Sequence, residues 1–252
     1  MKLKNVEIQI IAHCNLNCKS CDHFSPIANK WEIDVNNYIN ELLLLKKYFE
    51  IEKITLIGGE PLLHTKLNQL LTETRNVFKS SRIVIFTNGI LIKKTIKKLF
   101  KTMKQYDIEF QLTKYPIDFD YDSLIKILYQ LGIKCYIENQ CDKWFQYHID
   151  NNNYPMYANC YSRESMDNFQ LVNGKLYCCQ IPAYIKYFNQ YFNKDIYITK
   201  NDYLDLSNNL DEKYIKKYID TFHNKGLNFC QYCHKVSESN WEISKKEITE
   251  WK

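Results

Sequence analysis

The sequence predicts an α/β fold built on a parallel sheet, either doubly wound or closed into a complete or partial barrel. Three observations carry this. Short apolar runs alternate with longer amphipathic stretches from the N-terminus to about residue 140. The runs are near-continuous and rich in β-branched residues, most clearly Arg82–Thr87 (RIVIFT), as in strands covered on both faces. The length, 252 residues, suits one large domain, or one with a small appendage, and is ample for burying a core.

In chain order, residues 6–12 read as a first strand and 35–49 as a helix with Leu42, Leu43, Leu45 and Tyr48 inward. A strand at 53–57 and a helix at 63–78 follow, then the 82–87 strand and a basic helix at 91–103. Strands at 107–113 and 133–138 flank a helix at 121–130. After residue 140 the pattern changes. Residues 140–159 are polar and aromatic and read as a loop or linker around Asn151-Asn152-Asn153. Residues 169–179 place Asn173-Gly174 between two strand-like runs, a strong hairpin signal. A polar helix is expected at 211–222, then the FCQYC segment, then a tail with Trp241 and Trp251 in which Ser244-x-x-Glu247 reads as a capping box.

Composition narrows the function classes. Lys and Arg number 34 against 29 Asp and Glu, a net charge of +5 with the lysines scattered, which does not suggest a dedicated nucleic-acid binder. The first apolar run is interrupted by Glu7 and Gln9 and no small-residue cleavage site follows, so no export signal is expected. No stretch is long enough to span a membrane. The expected location is the cytoplasm, where ten cysteines imply metal ligation or catalysis more than disulfides.

Cys14, Cys18 and Cys21 form C-x3-C-x2-C directly after the first strand. Three clustered thiolates can hold three corners of a [4Fe–4S] cluster and leave the fourth iron open. Zinc is the alternative, with His13 or His23 as a fourth ligand. The next strand ends in Gly58-Gly59-Glu60-Pro61, where barrel enzymes build their active sites. A second group, Cys160, Cys178, Cys179, Cys230 and Cys233, lies in the C-terminal part, and the hairpin turning at Gly174 would bring Cys160 and Cys179 together before the C-x2-C at 230 and 233 closes the site. Cys178 competes with Cys179; neighbouring strand residues face opposite sides, so one of the two is excluded. A zinc knuckle is the alternative here as well. Cys135 and Cys141 are left over, with Cys135 expected in the core.

Together, the C-x3-C-x2-C loop and the GGE-P strand end resemble the radical S-adenosylmethionine (SAM) superfamily. The resemblance implies a partial (β/α)6 TIM-like barrel over residues 1–150 and a small Twitch-like (shortened SPASM-like) auxiliary iron–sulfur domain over 151–252. It implies two [4Fe–4S] clusters, one on Cys14, Cys18 and Cys21 that also chelates SAM, the other on Cys160, Cys179, Cys230 and Cys233. The backbone of Gly58, Gly59 and Glu60 would bind the methionyl amine, and electron transfer would cleave SAM to a 5′-deoxyadenosyl radical. Thr87-Asn88-Gly89 resembles the element near the ribose, although a plain Asn-Gly turn is the alternative. Thr113 and Glu138 end later strands on the same face, where they would touch SAM or substrate or cap a loop. One departure stands out: the residue before the third cysteine, aromatic in the family and near the adenine, is Ser20, with His23 and Phe24 as nearby replacements.

The layout is similar to that of the 2-deoxy-scyllo-inosamine dehydrogenase family. That similarity implies hydrogen abstraction from a small hydroxylated substrate (sugar, nucleotide sugar or cyclitol), ending in alcohol oxidation or epimerisation, with flavodoxin or ferredoxin as electron donor. Arg163, Lys114, His23 and Glu138 are the candidates for base or substrate orientation, each weighed against a surface or salt-bridge role. A peptide-modifying maturase is the alternative, with only residues 1–5 ahead of the first strand and so no leader-recognition domain expected there. A zinc-binding non-enzymatic module is the alternative from a different class.

Overall fold

The computed structural model describes residues 1–138, 143–152, 160–165 and 168–252. Strand β1 (Lys2–Ile11) pairs in parallel with β2 (Glu50–Gly58), β2 with β3 (Arg82–Thr87), β3 with β4 (Ile108–Thr113) and β4 with β5 (Cys135–Glu138). Helices α1 (Val35–Tyr48), α2 (Leu67–Val77), α3 (Ile92–Tyr106) and α4 (Tyr121–Gln130) make the four crossovers, giving the α/β partial barrel the sequence predicts. The caps follow local chemistry. Asp34 accepts the Asn36 and Asn37 amides ahead of α1, and Asp120 that of Ser123 at α4. Helix α2 starts later than expected because Pro61–Leu63 forms a separate 3₁₀ turn, capped by the Glu60 side chain. Within α1, Leu42 and Leu45 are buried as expected, whereas Leu43 faces out and Glu41 takes an inward place.

The sixth parallel strand, β7 (Asn168–Val172), lies on the free edge of β1 rather than beyond β5. It continues into antiparallel β8 (Lys175–Tyr177) and β9 (Leu204–Asp205), so one eight-stranded sheet runs across residue 150. The hairpin turn between β7 and β8 is Asn173-Gly174, both at positive φ (52° and 69°), as two-residue turns matching strand twist require. The turn amides lie close to buried Glu41, whose carboxyl burial pushes up to about 7.

Several described elements had no counterpart in the sequence reading. Helix α6 (Gln180–Phe192) packs on β7 and β8 and is apolar on most of its circumference. Strand β6 (Lys143–Ile149), within the segment read as loop, pairs antiparallel with β10 (Cys233–Asn240), and this ribbon stands apart from the main sheet. Helices α5 (Tyr161–Ser165) and α7 (Glu212–Lys225) complete the C-terminal part. Among the described residues no helix is long and apolar enough to cross a membrane.

Period-two alternation in the strands sets the site. On β1, Val6, Ile8 and Ile10 join the main core under the helices, whereas Asn5, Glu7 and Gln9 face the concave side. In register beside Glu7 stand Gln170 of β7 and Thr55 of β2. A second core, with Phe24, Ile149, Tyr184, Phe188 and Trp251, lies between α6, β6 and the C-terminal tail.

Candidate active site

The concave side holds a cavity of about 360 Å³. Cys14, Cys18, Cys21, Gly58, Gly59, Glu60, Thr87 and Asn88 all line it, so the cysteine loop, the GGE strand end and the Thr-Asn-Gly element meet as expected. Their junction is tight. The Gly59 amide donates to Ile11 O (2.8 Å) and the Glu60 amide to His13 O (3.1 Å), stitching the end of β2 to the start of the cysteine loop. The Glu60 carboxylate accepts from Leu62 N (3.0 Å), Thr87 Oγ1 (2.8 Å) and Asn88 N (3.0 Å), and burial pushes it up to about 7. Asn88 in turn donates from Nδ2 to Asn15 Oδ1 (2.8 Å), beside Cys14. The Thr-Asn-Gly segment is therefore more than a turn: it braces both the strand end and the loop.

The cysteine loop is also clamped from behind by the tail. Lys19 N donates to Glu242 O (2.9 Å), Ser244 N to Asn17 O (2.8 Å), Ser20 Oγ to Glu250 O (2.6 Å) and Trp251 Nε1 to Cys21 O (3.0 Å). The expected Ser244-x-x-Glu247 capping box does not form; Ser244 Oγ instead donates to the Glu250 carboxylate (2.6 Å), which also accepts the Lys245 and Glu247 amides.

Of the residues proposed for base or orientation, His23 lines the cavity and Arg163 and Lys114 do not. Arg163 donates from Nε and Nη2 to His223 O (3.2 and 3.0 Å), closing the end of α7. Lys114 pairs with Asp122 (3.3 Å) at the start of α4. Glu138 ends β5 opposite Thr113, and its side chain lies outside the described residues, as does Cys141. Thr113 is buried off the cavity wall; Gln111 and Tyr115 line it instead. Phe24 is also displaced, fully buried in the second core against Phe188 and Trp251. The backbone takes it there with positive φ at Ser20 (58°) and Phe24 (54°).

His23 sits against the Tyr184 ring (4.7 Å), with Nδ1 2.8 Å from Asp22. Burial penalises its imidazolium, yet Asp22 and, to a smaller extent, Cys21 raise the pKa overall, which favours the protonated, donating form. Glu7, absent from the sequence-derived candidates, is a buried acceptor on the cavity lining. Burial raises its pKa and Gln170 Nε2 donates to its Oε2. Tyr184 OH donates to Gln170 Oε1 (2.8 Å), which fixes the amide's orientation. Polar residues at alternate positions of strands expected to be apolar throughout (Asn5, Glu7, Gln9, Gln170) were the available signal.

The second cysteine group also assembles. Cys160 precedes α5, Cys179 caps α6, Cys230 lies in the 3₁₀ turn Asn228–Tyr232 and Cys233 opens β10. Each of these four thiols is within electrostatic range of the other three, and burial pushes that of Cys233 up to about 12. Cys178 points instead into the main core, beside Tyr218. Ser162 bridges the group to the cavity, within reach of both Cys179 Sγ (3.8 Å) and Gln180 Oε1 (3.4 Å). Buried thiols gathered this way are stabilised when a metal centre takes up their protons' charge. A single zinc with bonds of about 2.3 Å would draw its sulfurs to about 3.8 Å apart. Among the described residues only Cys21, Asp22 and His23 bring three such donor atoms within 4.8 Å of one another, so neither cysteine group is contracted around one ion. Three thiols on one loop, and four from separate elements, are donor sets that four-iron cubanes take. We expect Cys179→Ala to halve the iron bound after anaerobic reconstitution and Cys178→Ala to leave it unchanged; the reverse pattern would shift the register by one.

Residues 8–120 match the family described as the Radical SAM superfamily. Similar curated proteins include the GTP 3′,8-cyclases of Clostridium acetobutylicum (32% identical over 115 residues, 43% of this chain and 35% of that protein) and Helicobacter pylori strain HPAG1 (29% over 99 residues, 38% and 30%). The chain spans about a third of the length of these relatives. Among solved structures, BtrN in complex with AdoMet and 2-DOIA superposes with a TM-score of 0.57 at 17% identity, covering 92% of this chain and 93% of that one, a likeness of fold.

Proposed function

We propose that the protein is a radical SAM enzyme that abstracts hydrogen from a carbinol carbon of a small polyhydroxylated molecule (sugar, nucleotide sugar or cyclitol) and oxidises it. The observation that carries this reading is one cavity with Cys14, Cys18 and Cys21 on one wall, Glu7 and Gln170 on its floor, and Ser162 leading to a second cysteine quartet. When bound, a cluster on the first group supplies the electron that cleaves SAM, and one on Cys160, Cys179, Cys230 and Cys233 supplies an acceptor for the electron left on substrate. The chain's own residues do the rest. Gly58 and Gly59 present backbone acceptors to the methionyl ammonium. His23 donates to a substrate oxygen, and Glu7 takes the hydroxyl proton as the carbonyl forms. A cavity of this volume with a polar floor favours a small molecule over a peptide chain. Flavodoxin or ferredoxin is the proposed reductant.

Anaerobic reconstitution should give about eight irons per chain, four per cubane. With reductant, the holoenzyme should release 5′-deoxyadenosine from SAM, and Cys14→Ala should abolish that release. A colourless protein holding stoichiometric zinc would overturn the proposal.

A further inference from the structure

A nucleoside in this cavity needs a flat apolar face for its purine, because base–aromatic stacking is the sequence-tolerant way to hold a base. The polar floor cannot supply one: Glu7, Gln170 and Asn168 are committed to hydrogen bonds with one another and with Asn5. Tyr147, also on the wall, accepts the Gln180 amide (2.7 Å) with its hydroxyl. The cavity lining also carries a ring system assembled from distant parts of the chain. Trp144 of β6 packs against Tyr115 (5.9 Å between centroids, planes tilted by 42°), which follows β4, and Tyr115 packs against Trp241 (5.8 Å, 53°), which follows β10. Both Trp144 and Tyr115 line the cavity.

Two tethers fix this face against the groups that would flank a bound SAM. Trp144 Nε1 donates to Ser20 O (3.2 Å), one residue before Cys21. Tyr115 N donates to the Tyr121 hydroxyl (3.2 Å), which donates to Asn88 O (3.3 Å). The ring pair thus spans from the cysteine loop to the Thr-Asn-Gly element. Ser20, buried and turned to Glu250, contributes no ring of its own.

We propose that Trp144, backed by Tyr115, is the adenine-stacking face of the SAM site, and that the ribbon carrying it couples nucleoside binding to the second cysteine group. The coupling follows from register. Strand β10 begins at Cys233, which pairs with Ile149 at the far end of β6, and the ladder continues to Ser239 opposite Trp144. Anchoring Cys233 in a metal centre fixes one end of the ribbon; the Trp144–Ser20 bond fixes the other. The inference rests on the radical SAM reading above.

The test measures binding of S-adenosyl-L-homocysteine, which is not cleaved, to reconstituted holoenzyme by equilibrium dialysis with indole fluorescence in parallel. Wild type should bind with quenching. Trp144→Ala and the better-filling Trp144→Leu should both weaken binding by about five- to 150-fold, and Trp144→Phe should retain most of it. Iron content and thermal midpoint establish that each variant is folded and loaded at the first cysteine site. Cys233→Ser should weaken binding with the first cluster intact; unchanged affinity there would overturn the coupling. Wild-type affinity in Trp144→Leu would overturn the stacking assignment while leaving the radical SAM reading in place. Absence of binding to wild-type holoenzyme would overturn both.

Discussion

Replacing Trp251 with alanine should strip the protein of its first cluster before it disturbs the sheet. Trp251 is fully buried and is the second-to-last residue of the chain. Its ring packs on Phe24 (5.7 Å) and Phe192 (5.9 Å), and its indole N–H satisfies the Cys21 carbonyl. Truncating a buried Trp costs about 3–5 kcal/mol, and here the cavity would open directly beneath the cysteine loop. For a chain of this size that is a fall in thermal midpoint of about 6–20 °C. The loss would spread through the tail, because Trp251 and Glu250 act together. Glu250 collects Ser244 and two backbone amides, and its own carbonyl holds Ser20. Iron bound on reconstitution should fall from about eight to about four per chain, since, among the described residues, none of Cys160, Cys179, Cys230 and Cys233 takes a hydrogen bond from the tail residues that hold the first loop. Trp251→Phe, which keeps most of the packing and loses the N–H bond, should fall between. Full iron loading with an unchanged midpoint in Trp251→Ala would show that the tail is not a brace.

The clamp explains why some of the molecule could be read in the sequence and some could not. Strands β1 to β5 and their helices are local patterns, and each announces itself within its own residues. So do the Asn173-Gly174 turn and the C-x3-C-x2-C loop. The β6–β10 ribbon is different: KWFQYHI and CHKVSESN are polar strands made stable by each other, about ninety residues apart in the sequence. Helix α6 escaped because residues all around it are buried, which erases the one-sided stripe that marks a surface helix. Glu7 and Gln9 in β1 were visible and were taken as interruptions of an apolar run; in the fold Glu7 lines the cavity. The candidates chosen for nearness to a motif fared worst. Arg163 and Phe24 lie close in sequence to cysteines but turn away from the cavity, because a neighbour in sequence need not share a face.

The second large effect is expected at Gly59, where the close approach of two chain segments leaves no room for a side chain. A Cβ there would lie 1.9 Å from His13 O and 2.3 Å from His13 C, both backbone atoms that cannot rotate away. The neighbouring Gly58 is as constrained, with φ of +132° and a Cβ position 2.0 Å from Ile11 O. Gly59→Ala must therefore push the end of β2 off the start of the cysteine loop. That breaks the Gly59–Ile11 and Glu60–His13 hydrogen bonds along with the contact. Overpacking and two lost backbone bonds together should cost about 3 kcal/mol or more. The catalytic consequence should exceed the thermodynamic one. Cys14 is one residue from His13, and Glu60 is tied to Asn88, so the shift separates the cysteine loop from the groups proposed to hold SAM. A misplacement of about 1 Å can cost about a hundredfold in rate, and 5′-deoxyadenosine formation should fall at least that far in a folded, iron-loaded variant. Gly132→Ala provides the contrast. Its φ is +61°, but a Cβ there meets only the mobile end of Lys104, so it should lose about 1 kcal/mol and leave SAM cleavage unchanged. If Gly59→Ala behaved like Gly132→Ala, the stitched junction between strand end and cysteine loop would not be what positions the site.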